Sequence, residues 1–191
     1  MIDITKIKGV LFDMDGTLVD TENLHLQAWN AVLKPYGATL SKEECIRRFT
    51  GRAGTLIEED LLKEHGIELT PLSLLEKKEA LILEWMKTKE LPLMPFAIEC
   101  VDYFVNKGFK VGVVSGGGRD ETDVKIKRTG LSGKFITSVT SSEVTESKPN
   151  PESYLMACKQ ISLDPSTCLA IEDTNAGLAS AKAAGLSCFA V

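Results

Sequence analysis

FDMDGTLVD, residues 12–20, closes an apolar run and opens a turn. The residues before it, Ile7 to Phe12, read as a buried strand. Asp13 and Asp15 then stand two apart, ahead of Gly16-Thr17. At the carboxyl mouth of a parallel sheet, two such carboxylates cannot both stay ionised without a cation or hydrogen-bond donors. Taken alone, the pair reads equally well as an ordinary turn, because Asp and Gly favour strand ends that reverse. The rest of the chain has to decide.

Composition narrows the field. At 191 residues the chain is long enough for one large domain, or a core with a smaller appendage. A net charge of −5 offers no basic field for nucleic acid or an anionic membrane. No run reaches the roughly 18 apolar residues of a membrane span, and MIDITKIKG lacks the apolar stretch of a signal peptide. The five cysteines, Cys45, Cys100, Cys158, Cys168 and Cys188, are odd in number, widely spaced and never in a CxxC pair. Reduced thiols in a cytoplasmic protein are therefore expected, rather than disulfides or a zinc site.

Strand-like runs recur at Phe109–Val114, Phe135–Val139, Thr167–Ile171 and Leu186–Val191. Helical patterns separate them: Pro95–Asn106 ending at Gly108, Arg119–Thr129 ending at Gly130, Pro151–Ile161, and Asn175–Ala184 ending at Gly185. Glycine past a helix and proline in its first turn are the usual punctuation. Alternating strands and helices predict an α/β fold, a Rossmann-like parallel sheet with right-handed crossovers. Between Thr21 and Leu93 no strand-like run occurs. Ser41-Lys42-Glu43-Glu44 has the form of a capping box, and Thr70-Pro71 opens a long helical stretch through Met86. The expected organisation is a core from residues 1–17 and 94–191, with an inserted all-helical domain over 18–93. The last strand reaches Val191 with no covering helix, so an exposed edge, or a shortened form of a longer protein, is expected.

In an open α/β sheet, ligands bind outside the carboxyl ends of the strands. Four polar groups fall there: Asp13 with Asp15, then Ser115-Gly116-Gly117-Gly118, then Lys148-Pro149-Asn150-Pro151, then Glu172-Asp173. Each has a plainer reading. The Ser-Gly run could be a flexible turn, Lys148 a solvated lysine, and Glu172-Asp173 the cap of the helix that follows. Together they supply a carboxylate nucleophile, oxygen ligands for Mg²⁺, a cation and hydrogen-bond donors. Phosphoryl transfer needs each of these.

The ordered set FDMDGTLVD, VVSGG, SKPNP and IEDTNAG resembles the four motifs of the haloacid dehalogenase superfamily of phosphohydrolases. The helical insert is similar to the cap of its β-phosphoglucomutase-like and sugar-phosphate phosphatase branch. The resemblance implies Asp13 as the nucleophile that forms an aspartyl-phosphate. It implies Asp15 as general acid and base, with its backbone carbonyl facing the metal. Ser115 and the N–H of Gly116 would bind phosphoryl oxygens, Lys148 would neutralise charge, and Asp173 with Glu172 would complete a Mg²⁺ site. His25, four residues from Trp29 on one helical face, is a candidate for substrate contact from the cap, as are Arg52 and Lys78. For Arg52 and Lys78 a solvated charge is the more ordinary reading.

Two departures favour hydrolysis over mutase chemistry. Where the mutases carry an arginine after the glycine matching Gly51, this chain has Gly54, with Arg52 nearby; and Thr17 stands where they favour a small apolar residue. The expected activity is a Mg²⁺-dependent phosphatase acting on a small phosphorylated metabolite, a sugar or polyol phosphate, as a monomer. The alternative is a β-phosphoglucomutase-type phosphomutase. A phosphoacceptor signalling domain fits less well, since its acceptor follows a middle strand and it carries no helical insert.

Overall fold

The computed structural model describes residues 4–49 and 54–191. Among these residues the chain divides into two compact units, residues 1–20 with 91–191, and residues 21–90.

The first unit is built on a five-stranded sheet: β1 (Gly9–Phe12), β2 (Lys110–Val114), β3 (Thr137–Val139), β4 (Cys168–Glu172) and β5 (Ser187–Ala190). Their order is β3-β2-β1-β4-β5, all parallel, with β1 in the middle. Phe12 pairs with Val113 on one side and Ile171 on the other, so the chain leaves β1, β2 and β4 at nearly one level. The first strand starts two residues later than the apolar run suggests, because Ile7 N donates to Ile4 O in a 3-10 turn.

Period-two alternation sends side chains to two apolar layers. Val10, Phe12, Val111, Val113, Leu169 and Ile171 share one core with Val101 of α5 (Ala97–Asn106). Leu11, Val114, Cys168 and Ala170 share the other with Tyr154 and Ala157 of α7 and Ala181 of α8. Here α6 is Arg119–Arg128, α7 is Glu152–Gln160 and α8 is Asn175–Ala183. Because both faces of the inner strands are covered, they read as continuous apolar runs, as buried parallel strands do.

The 21–90 unit holds only helices among its described residues: α1 (Glu22–Leu33), α2 (Lys42–Phe49), α3 (Gly54–Glu64) and α4 (Ser73–Thr88), with one short 3-10 turn. Its core gathers Trp29, Leu33, Leu40, Ile57, Leu61 and Leu74. The capping box at Ser41 forms: Glu44 N donates to Ser41 Oγ at 3.2 Å, and Ser41 N to Glu44 Oε2 at 2.9 Å. The start of α4 differs from the local reading at Thr70-Pro71. Its N-cap is Leu72 at φ 70°, with no side-chain cap of its own. The buried carboxylate of Glu58 on α3 serves instead, accepting from Leu72 N at 2.7 Å, Leu74 N at 2.7 Å and Leu75 N at 3.1 Å. A carboxylate at a helix N-terminus satisfies otherwise orphaned donors and complements the helix dipole.

No described helix is long and apolar enough to cross a membrane. Glu58→Ala leaves buried backbone donors unpaired at the start of α4. It should cost about 3 kcal/mol of stability, read as a lowered urea midpoint. Glu44→Ala, on an exposed capping box, should cost about 1 kcal/mol.

Candidate active site

Asp13 follows the last residue of β1, and its N–H donates to Ile171 O at 3.0 Å, which continues the ladder with β4. The chain then turns at Gly16, φ 79°. Any side chain there would be strained, and its Cβ would lie 2.2 Å from Asp173 Oδ2. A glycine is therefore required at that position. Ser115 follows β2 and Glu172 ends β4, so three adjacent strands deliver Asp13, Ser115 and the Glu172-Asp173 pair to one edge of the sheet.

Lys148 ties these groups together from the loop that leaves β3. Its Nζ donates to Asp13 Oδ1 at 2.5 Å, Glu172 Oε1 at 2.6 Å and the Val114 carbonyl at 2.8 Å. It is not a solvated lysine: its side chain is 11% exposed, and those of Asp13 and Glu172 are 10% and 0%. Burial disfavours the Lys148 ammonium, but the charges of Asp13 and Glu172 outweigh it and raise its pKa. Tyr154 on α7, wholly buried, donates its hydroxyl to Glu172 Oε1 at 2.8 Å. Burial and the Glu172 charge push that phenol well above its ordinary pKa, so it remains a donor.

Thr174, not the acidic pair, caps α8, its hydroxyl accepting from Gly177 N at 3.0 Å. Asp173 is left to accept from Thr17 Oγ1 at 3.2 Å. Asp13, Glu172 and Asp173 each present an oxygen within 4.8 Å of the others. All three donors are hard oxygens, which fits Mg²⁺ or Ca²⁺ and disfavours softer metals. The electrostatics fit as well. Burial, then the Glu172 charge, holds Asp13 at a pKa of about 8 despite Lys148. Burial and Glu172 likewise raise Asp173 to about 6. Such a group holds protons where a divalent cation would relieve the repulsion.

The carboxylate of Asp15 is not in that trio. Lys125 Nζ lies 2.6 Å from its Oδ1 and 2.8 Å from its Oδ2. Ser115 is buried, and its Oγ accepts from Gly117 N at 3.0 Å, which keeps the hydroxyl hydrogen for another acceptor. Gly116 beside it faces open space at its Cβ position.

The remaining sequence candidates belong to the 21–90 unit. His25 is half-buried on α1, and Trp29, four residues on, packs in that unit's core. Lys78 is not a solvated charge. It is 5% exposed, 2.8 Å from Glu79 Oε1 and 5.7 Å above the Trp29 ring. Arg52 lies outside the described residues.

Sequence reading missed Lys125 and Tyr154. The signal for Lys125 is the composition of α6, RDETDVKIKR, which is nearly all polar for a helix of a sheet-based core. Tyr154 gives none, since an aromatic at helical spacing looks like any core residue.

A haloacid dehalogenase-like hydrolase model matches residues 10–191. The chain belongs to that family. Validoxylamine A 7'-phosphate phosphatase of Streptomyces hygroscopicus subsp. limoneus is 29% identical, over 95% of this chain and 84% of the relative. Protein CbbY of Rhodobacter capsulatus is 31% identical, over 95% and 83%. Among solved structures, a CbbY mutant from Rhodobacter sphaeroides in complex with xylulose-(1,5)bisphosphate superposes with a TM-score of 0.82 at 25% identity, over 95% of this chain and 84% of that one. Within the family the chain falls in the sugar-phosphate phosphatase branch. It is an enzyme, a phosphoric monoester hydrolase.

The raised Asp13 carries a testable sign. In the cation-free protein its folded pKa, about 8, lies above the unfolded 3.8. Its contribution to stability is therefore present at low pH and lost as pH rises through about 8. Mg²⁺ competes with that proton, so the Mg²⁺-induced rise in Tm should grow between about pH 6 and pH 8.5. In Asp13→Asn that growth should be much reduced, measured by differential scanning fluorimetry with Mg²⁺ and with EDTA.

Proposed function

We propose that the chain is a Mg²⁺-dependent phosphatase that cleaves a small phosphorylated metabolite, a sugar or polyol phosphate, through an aspartyl-phosphate on Asp13. The observation that carries this is the buried carboxylate of Asp13 at the end of the central strand, held by Lys148 and grouped with Glu172 and Asp173. The five free cysteines, Cys45, Cys100, Cys158, Cys168 and Cys188, suit a reducing cytoplasm.

A carboxylate oxygen of Asp13 attacks phosphorus as the bond to the leaving oxygen breaks. Lys148 faces the charge that this places between Asp13 and the phosphoryl oxygens. Ser115 and the N–H of Gly116 hold the phosphoryl group in line for attack. Asp15, protonated, gives its proton to the departing alkoxide, and the product alcohol leaves. Asp15, now ionised, takes a proton from water as that water attacks the aspartyl-phosphate. The phosphorus bond to Asp13 breaks, and both Asp13 and inorganic phosphate are released. A bound divalent cation, held by Asp13, Asp173, Glu172 and the Asp15 carbonyl, would supply positive charge opposite the phosphoryl oxygens.

The names of the relatives support the substrate class, since they act on or bind phosphorylated carbohydrate-like molecules. His25, Arg52 and Lys78 are the residues we assign to choosing among such substrates.

Phosphate release measured over a panel of sugar, polyol and nucleotide phosphates should require Mg²⁺ and stop with EDTA. Asp13→Asn should lower kcat by about 10³-fold or more, with no acid-stable phosphoenzyme. Near-native turnover in that variant would rule out the covalent route. An isomerised sugar phosphate in place of free phosphate would assign the mutase reaction instead.

A further inference from the structure

Helix α6 is poorly suited to a purely structural role. Its buried residues are Glu121, Thr122 and Lys125, and its only apolar side chains are Val124 and Ile126. The Lys125 side chain is 0% exposed, while Asp15 is 30% and Glu121 10% exposed. One buried ammonium therefore meets both oxygens of Asp15 and stands 3.8 Å from Glu121 Oε2 one turn back. The loop before the helix is shaped around this group. A Cβ on Gly117 would lie 2.9 Å from Glu121 Oε2, 3.4 Å from Ser115 Oγ and 3.6 Å from Lys125 Nζ.

Burying a lysine is expensive, and an apolar side chain would secure α6 to the sheet with less penalty. The contact also sorts the carboxylates. Lys148 takes Asp13 and Glu172, and Thr17 takes Asp173. Lys125 takes the partly exposed Asp15 carboxylate, which stands outside the three-carboxylate group.

We propose that Lys125, backed by Glu121, is a positioning residue that keeps the Asp15 carboxylate apart from the Asp13–Glu172–Asp173 group, so that it faces the leaving oxygen and the attacking water. This rests on the reading of Asp15 as acid and base. Lys125 touches no reacting atom. Its effect reaches the chemistry only through where Asp15 stands.

The test separates the two halves of the reaction by leaving group. Phenyl phosphate expels a basic phenolate and needs the acid, whereas 2,4-dinitrophenyl phosphate expels a stable anion and does not. The variant is Glu121→Leu/Lys125→Met, which removes both buried charges and leaves Asp15 intact. Lys125→Gln alone serves if the double variant does not fold. Phosphoryl transfer from phenyl phosphate should fall by about 10²-fold, and transfer from the dinitrophenyl ester by no more than about threefold. Hydrolysis of the phosphoenzyme also needs Asp15, so acid-quenched samples with the dinitrophenyl ester should hold far more phosphoenzyme than wild type. Equal losses on both esters without accumulation would show that the pair only anchors α6, and wild-type behaviour would show that it does nothing for Asp15. Either overturns the proposal. Asp15→Asn, run alongside, tells the two readings apart. If it shows the same split and accumulation, the acid–base role stands whatever Lys125 does. If it hydrolyses both esters like wild type, that role is wrong and the proposal falls with it.

Discussion

Repulsion among carboxylates forced together at one edge of the sheet is the constraint on which this molecule is organised. Asp13, Glu172 and Asp173 each bring an oxygen within 4.8 Å of the others, and Glu172 is wholly buried. If all three were ionised, Lys148 would leave two negative charges uncompensated, which is the charge one divalent cation neutralises. Without it, protons partly take its place, and burial raises Asp13 to about 8 and Asp173 to about 6. The same low dielectric that makes the group costly makes a placed cation effective on it.

The fold meets this constraint with compensating groups from different elements. Lys148 arrives from the loop after β3, Tyr154 from α7, Thr17 from the turn after β1 and Lys125 from α6. That loop is itself anchored to α6. Arg119 donates to both oxygens of Glu143, at 3.0 and 2.8 Å, and to the Ser138 carbonyl at 2.7 Å. The first residue of α6 therefore ties down the segment leading to Lys148, and its seventh holds Asp15. Glycine supplies the clearance: Gly177, on α8, faces the Glu172 carboxylate so closely that a Cβ would overlap it at 2.0 Å.

How legible this was in the sequence depends on whether a residue's partner is near in sequence or in space. The sheet was legible, because buried parallel strands make apolar runs bounded by glycine and proline, and their carboxyl ends named Asp13, Ser115 and Glu172 directly. The Ser41 capping box was legible because both partners lie within one turn. The start of α4 was not, since its cap, Glu58, comes from another helix. Lys125 was missed, because its partner Asp15 is 110 residues away. The solvated reading of Lys78 fails for a related reason: its burial over Trp29 of α1 is a tertiary fact that its own neighbours do not announce.

The two lysines divide the work in a way that neither could manage alone. A single cation placed among all four carboxylates would serve each weakly. Lys148 is bound to Asp13 and Glu172, and in the proposed reaction it would face the phosphoryl charge as that charge develops. Lys125, wholly buried, meets both oxygens of Asp15, and in the proposed reaction it would set where that carboxylate stands. Two apolar layers, built on α5 on one face of the sheet and on α7 and α8 on the other, carry the stability of the first unit. Helix α6 adds Ile126 to the first of these layers and turns Glu121, Thr122 and Lys125 inward, so it packs on the sheet with a face that is largely polar.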